Sequence, residues 1–293
     1  MPKNKLKFGI PLGVWQKDII FLFKKAGFCL SFEENSQKLE IDDPEIELIL
    51  VRPILMAKLI EKGKIDAGIS TEASILEAKA NVKIVCNLEF LKPTPSKTKL
   101  VLGVKKDSKI KSIKDINGKK IITRVPNLAK QFLKKHNISA KLIYSDSPSN
   151  EPLVGIEADA IIDFIKTGDS FKAYNLKVLF SILESEVVMI ANENSLKDKW
   201  KKEKIENLSC LLKGTRLAQE MRGLMFHADA QLMEKVLKII PQLKKPTVTQ
   251  LRGEYSFQIF TVVNKKEIRK IIPQLKKIGC SDIIEFPLNK VVL

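Results

Sequence analysis

Cysteine and histidine are scarce in this chain of 293 residues, which has 4 cysteines and 2 histidines. Cys29, Cys86, Cys210 and Cys280 lie far apart and form no Cys-x-x-Cys pair, and His136 and His227 are equally isolated. That spacing excludes a disulfide scaffold and argues against a structural zinc site, whose ligands come in close pairs. The four cysteines read as buried thiols in a reducing compartment. Long apolar runs are missing too. No stretch approaches the roughly 18–20 residues of a spanning helix, and the basic opening MPKNKLK leads into an apolar run too short for a secretory leader. The expectation is a soluble cytoplasmic protein with no membrane partner. Aromatic residues are 6% and do not alternate with basic ones, so no base-stacking platform is visible and no nucleic-acid partner is expected.

Arginine is sparse as well, occurring at Arg52, Arg124, Arg216, Arg222, Arg252 and Arg269, so the net charge of +17 is almost all lysine. The lysines are spread through every segment. They read as a solvated surface or, as a second reading, as a field that concentrates anionic small molecules such as nucleotides.

Apolar residues make up 44% of the chain, enough for large cores and too many for disorder. At roughly 150 residues per domain the length predicts two domains, or three small ones. The first segment alternates strand and helix patterns: KLKFGIPL, DIIFLFKKAGF ending at Gly27, IELILV, ILMAKLIEKGK, IDAGIS and TEASILEAKAN. Short alternating units predict a parallel sheet with covering helices. A second such unit begins near residue 97 with TKLVLGVKKDS. It continues through the Asn117-Gly118 turn, the helix LAKQFLKKHN and the strands AKLIYSD and ADAIIDFI. The segment KVLFSILESEVVMIANEN reads as a return to the first lobe. The tail predicts strand, helix, strand, strand, helix, strand, a βαββαβ order that is ferredoxin-like. The fold class is therefore α/β. The run Lys114-Asp115-x-x-Gly118-Lys119-x-Ile121 resembles the second lobe of type II periplasmic-binding-protein-like folds, which implies two such lobes, spanning 1–96 with 184–213, and 97–183. A third, ferredoxin-like domain spans 214–293. Two such lobes leave a cleft between them, where small ligands bind.

The stretch GIEADAIIDFIKTGDSFKAYNL carries the most chemistry. Asp159 and Asp163 are four apart on an expected strand, which aims both at one face. The strand runs into Thr167-Gly168-Asp169-Ser170 and an expected helix. Such a turn offers backbone N–H groups and two hydroxyls to an anion, and glycine permits close approach. Upstream carboxylates accept from ribose hydroxyls or hold magnesium. The alternative is an ordinary helix start with Asp169 or Ser170 as N-cap.

Nearly the whole chain resembles the long form of the ATP phosphoribosyltransferase family, the first enzyme of histidine biosynthesis. The resemblance rests on FGIPLG, VRP at 51–53, EKGKIDAGIS at 61–70, TRVPNLAKQFL at 123–133, ADAIIDFIKTGDSFKAYNL at 158–176, KPTVTQL at 245–251 and the ending LKKIGCSDIIEFPLNKVV. It implies condensation of ATP with 5-phosphoribosyl 1-pyrophosphate, with Mg2+, to give phosphoribosyl-ATP and pyrophosphate. It implies feedback inhibition by histidine at the third domain, and a homo-oligomer, a hexamer. By carry-over, Asp159 and Asp163 serve the ribose hydroxyls and the metal. Thr167, Gly168, Asp169 and Ser170 wrap the 5′-phosphate, and Arg52 and Gly13 face the nucleotide. Thr247 and the 279–283 turn are candidates for lining the histidine site.

Some positions depart from the family. The first loop reads Pro11-Leu12-Gly13-Val14 where the family carries Pro-Lys-Gly-Arg. Ser70-Thr71-Glu72-Ala73 stands for Thr-Gly-x-Asp, and Asp146-Ser147-Pro148-Ser149 for Gly-Ser-x-Glu. Lys166 and Lys172, beside the phosphate turn, are candidate substitutes for the missing cations. The departures keep two further readings in view. One is an impaired homologue that binds nucleotide or histidine as a regulatory module. The other is a solute-binding protein, which the lack of an export signal disfavours.

Overall fold

The computed structural model describes residues 4–13, 15–33, 38–88, 98–147, 149–241, 245–252 and 255–292. The expected loop positions Val14 and Pro148, and the expected lobe boundary at 96–97, lie outside the described residues. The chain divides into two compact units, residues 1–21 with 28–209, and residues 22–27 with 210–293. No helix of the described residues is long and apolar enough to cross a membrane.

The first sheet of the larger unit starts with β1 (Leu6–Pro11), followed by helix α1 (Gln16–Ala26). A small hairpin, β2 (Leu30–Glu33) and β3 (Lys38–Ile41), precedes β4 (Ile46–Val51). Then come α2 (Pro53–Glu61), β5 (Ala67–Thr71), α3 (Glu72–Ala78) and β6 (Lys83–Asn87). The second sheet is built from β7 (Thr98–Lys105), β8 (Lys120–Thr123), α4 (Pro126–Lys135), β9 (Lys141–Tyr144), β10 (Ala160–Ile165), α5 (Asp169–Ala173) and β11 (Leu176–Ser185). The chain returns to the first sheet as β12 (Val187–Ala191) and continues as α6 (Glu193–Lys197) and α7 (Lys199–Ala218).

The strand orders are β4-β1-β5-β12-β6 and β11-β7-β10-β8-β9. β1 runs parallel to β4 and β5, and β10 parallel to β8, while β12 is antiparallel to its neighbours. This is the expected two-lobed α/β arrangement. β5 (AGIST) and β12 (VVMIA) are buried along their whole length, as strands covered on both faces must be. The sequence reading did not anticipate the β2–β3 hairpin or β6. Both are short, and β6 buries little but Cys86, so neither shows an apolar period.

Side chains tie the two sheets together where the chain crosses. The Glu77 carboxylate, at the end of α3, accepts from the backbone N–H of Asn127 (3.1 Å) and of Leu128 (2.9 Å), in the first turn of α4. Glu77 is 5% exposed. Its charge satisfies donors that the helix itself cannot. The Ser185 hydroxyl accepts from the Ala73 N–H at 2.9 Å.

The smaller unit carries β13 (Met221–Asp229), α8 (Met233–Ile239), β14 (Thr247–Gln250), β15 (Ser256–Asn264), α9 (Ile268–Ile278) and β16 (Ser281–Pro287). The order β14-β15-β13-β16 realises the expected βαββαβ pattern. Leu224, Phe226, Ile259 and Val263 point from the sheet into a core closed by Val236, Ile268, Ile271 and Leu275 of the helices.

Candidate functional site

In open α/β sheets, ligands bind where parallel strands end at their carboxyl termini. In the larger unit the first sheet's β4 leads into Arg52 at its carboxyl end, and the second sheet's β8, β9 and β10 lead into Arg124, Asp146 and the segment Lys166–Ser170.

Asp163, on β10, is 2% exposed and is gripped by Arg124. The guanidinium donates from Nε to both carboxylate oxygens (3.1 and 2.9 Å) and from Nη2 to Oδ1 (2.7 Å). The Phe164 N–H adds a bond of 2.7 Å. Burial is the largest influence on Asp163 and pushes its carboxyl up, and Arg124 pulls it back. Burial also works against charge on Arg124, but Asp163 outweighs it and raises the guanidinium pKa. A guanidinium only donates, so both carboxyl oxygens of Asp163 act as acceptors toward it. Asp163 therefore holds Arg124 in place, with Oδ1 taking most of the bonds.

The turn after β10 has the backbone its sequence calls for. Gly168 adopts φ +81, a left-handed conformation that costs a side chain about 1–2 kcal/mol. Asp169 N–H donates to Thr167 Oγ1 at 3.5 Å. α5 has only five residues, so little helix dipole backs the turn. What fixes it is packing. Phe171 is 3% exposed and lies on Gly103 of β7, where an added Cβ would come within 2.3 Å of the ring. Ser170 hydrogen-bonds Glu151, which also accepts from Ser149 Oγ at 2.8 Å. Burial works against charge on Glu151, yet these bonds and the charge of Arg124 hold its carboxyl below the usual range.

Asp159 is not where its spacing suggested. It precedes β10 by one residue and is exposed. Its carboxylate accepts from the Lys120 N–H at 2.8 Å, at the start of β8. The register sets Ile121 beside Ala160 and Thr123 beside Ile162, so Asp159 is level with Lys120 and Asp163 with Arg124. Four extended residues span about 13 Å, too far for both to ligate one ion. Asp159 instead lines a cavity of about 630 Å³ at the other end of the sheet, with Lys105, Asp107, Lys109, Lys119 and Asn175. Among the described residues no group of three or more His, Cys, Asp or Glu side chains is arranged to hold a metal. The residues therefore do not fit the expected magnesium held by Asp159 and Asp163 together.

The other expected residues are distributed as follows. Arg52 Nη1 lies 2.5 Å from Asp146 Oδ2, and both side chains are exposed. Gly13 has φ +106, and its carbonyl accepts from Gln16 N–H at 3.0 Å as α1 begins. Lys166 is 11% exposed. Its ammonium is 2.5 Å from Asp18 Oδ2 on α1 and 3.9 Å above the centre of the Trp15 ring. Lys172 is exposed on α5. In the smaller unit, Thr247 is exposed on β14, and Asp282 (φ +50), which lies in β16 rather than in the expected turn, pairs with His227 Nδ1 at 3.1 Å. His136 caps the end of α4, tilted against the Phe132 ring and edge-on to Phe180.

Sequence reasoning missed Arg124 and Glu151. The signal for Arg124 was an arginine directly after a buried strand in an arginine-poor chain. Glu151 gave none, because a single glutamate in a polar loop reads as solvated.

Comparisons with known proteins bear on the whole chain. The family model described as "ATP phosphoribosyltransferase" matches residues 52–214, and that described as "HisG, C-terminal domain" matches 218–290. An "ATP phosphoribosyltransferase" of Pelotomaculum thermopropionicum is 38% identical over 288 residues, covering 98% of this chain and 99% of that protein. Another, of Thermodesulfovibrio yellowstonii, is 37% identical over 292 residues, all of both chains. Among solved structures, the "ATP phosphoribosyl transferase (HisG:HisZ) complex from Thermotoga maritima" is similar in fold. Its TM-score is 0.57 at 24% identity, over 71% of this chain and 96% of that one.

Proposed function

The chain belongs to the ATP phosphoribosyltransferase family, and from that premise we propose that it joins ATP to 5-phosphoribosyl 1-pyrophosphate, the first step of histidine biosynthesis. The observation that carries this reading is similarity along the full length of the chain, both lobes and the third domain together. The bond formed runs from adenine N1 to the anomeric carbon, and the bond broken frees pyrophosphate.

The reaction needs no protein nucleophile. It needs a polyanion held still, the adenine aligned with the anomeric carbon, and positive charge where pyrophosphate departs. In our reading the backbone N–H groups of Thr167, Gly168 and Ser170 and the Thr167 hydroxyl receive the 5′-phosphate. Arg52 lies on the nucleotide side. Arg124 and Asp163, paired charge for charge, brace the strand end from which the turn 167–170 leaves. Magnesium belongs to this proposal as the counter-ion that the pyrophosphate substrate brings, and no protein step runs through it. Histidine as feedback inhibitor of the third domain, a hexameric assembly and a cytoplasmic location are part of the same proposal.

The test is direct. Purified protein, ATP, phosphoribosyl pyrophosphate, magnesium and pyrophosphatase are expected to give the ultraviolet absorbance rise of phosphoribosyl-ATP. A flat trace beside an active relative would reject the catalytic reading.

A further inference from the structure

Lys166 is set apart from Arg124 and Arg52. Arg124 is locked by a buried carboxylate with three hydrogen bonds. Arg52 and its partner Asp146 are both more than half exposed. Lys166 is nearly buried, yet the carboxylate beside it, Asp18, is 34% exposed and borne on the first sheet's helix α1. Beneath the ammonium lies the face of Trp15, itself 3% exposed. The next residue is Thr167, the first of the anion turn. A lysine ammonium is a compact point charge on a four-carbon stem with three donors, able to change partners without backbone movement.

We propose that Lys166 is a substrate contact, which exchanges Asp18 for a phosphate oxygen of phosphoribosyl pyrophosphate. The proposal rests on the functional reading above. A half-solvated carboxylate with one unit of charge competes poorly against a multiply charged phosphate for the same ammonium. Because Asp18 is carried by the first sheet and Lys166 by the second, the exchange turns a contact between the sheets into a contact with the ligand. Trp15 reports it, since the ammonium leaves its ring.

The experiment is a titration with phosphoribosyl pyrophosphate at fixed salt, followed by calorimetry and by the part of the tryptophan emission that Trp15→Phe removes. The natural chain is expected to bind with a change in Trp15 emission. Lys166→Met is expected to weaken binding about tenfold or more and to lose the emission change. Asp18→Asn, which removes the competing carboxylate charge, is expected to tighten binding severalfold, and to have no effect in the Lys166→Met background, as residues acting through one contact must be coupled. Unchanged affinity and emission in Lys166→Met would overturn the inference. So would an Asp18→Asn effect that persists without the lysine, which would make it a long-range charge effect. If Lys166→Met does not fold, Asp18→Asn decides alone, and unchanged or weaker binding refutes the exchange. No binding by the natural chain would overturn the functional reading along with this one, whereas the other failures leave that reading standing.

Discussion

The two ends of β10 carry the same residue type and do different things with it. Asp163, near the carboxyl end, is buried and anchors an arginine beside the turn 167–170. Asp159, before the amino end, is exposed and accepts one backbone N–H beside a lysine-lined cavity. Spacing on a strand sets which face a side chain takes. It does not set which end of the sheet the side chain serves, and in a parallel sheet the ends are not equivalent.

The largest effect expected from that contrast is on stability. Asp163→Asn leaves the Arg124 charge without its counter-charge. Removing one partner of a fully buried pair costs about 3–5 kcal/mol. Arg124 is about one-third exposed, so solvent softens the loss to about 2–3 kcal/mol. Asp159→Asn removes one exposed acceptor and is expected to cost about 0.5 kcal/mol. Urea denaturation midpoints of the two variants measure the difference. Equal shifts would break the comparison.

Much of the fold was legible because its signals are local and repeated. The strands IELILV and ADAIIDFI and the helix KEIRKIIPQLKKIG announce themselves by apolar period and by closing glycines. The βαββαβ tail was readable for the same reason. The bend after β10 was readable as a turn because glycine stands within Thr167-Gly168-Asp169-Ser170, and Gly168 takes the left-handed conformation there. What stayed hidden depends on pairs far apart in sequence. Arg124 and Asp163 are 39 residues apart, and Lys166 and Asp18 are 148 apart. Only the register of β8 against β10 shows that Asp163 meets Arg124 while Asp159 does not.

A second test bears on what makes the carboxyl end a built site. Gly103 leaves room for the Phe171 ring, and the ring seats α5. Gly103→Ala is expected to displace Phe171 at a cost of about 1–3 kcal/mol and to weaken phosphoribosyl pyrophosphate binding with it. Calorimetric affinity and thermal unfolding check both. Normal binding in a folded variant would show that the turn holds without its seat. A smaller effect is expected from Gly168→Ala, about 1 kcal/mol for a side chain at φ +81, again read by denaturation.

The smallest effect expected is one of pH, and its sign separates the two carboxylates that neighbour Arg124. The folded pKa of Glu151 is lowered, because hydrogen bonds from Ser170 and Ser149 and the charge of Arg124 prevail over burial. A depressed acid binds fewer protons folded than unfolded. Its contribution is therefore present above the unfolded value of about 4.3 and is lost as pH falls through the folded value. Asp163 is shifted the other way by burial, so its contribution falls as pH rises through its folded value. The stability of the natural chain minus that of Glu151→Gln is accordingly expected to be largest near neutrality and to shrink below pH about 4.3. Urea midpoints for the two proteins from pH 7 down to about 3 measure that difference. A gap that widens on acidification would mean that burial governs Glu151 as it governs Asp163, and that Ser170 is not held by an ionised partner.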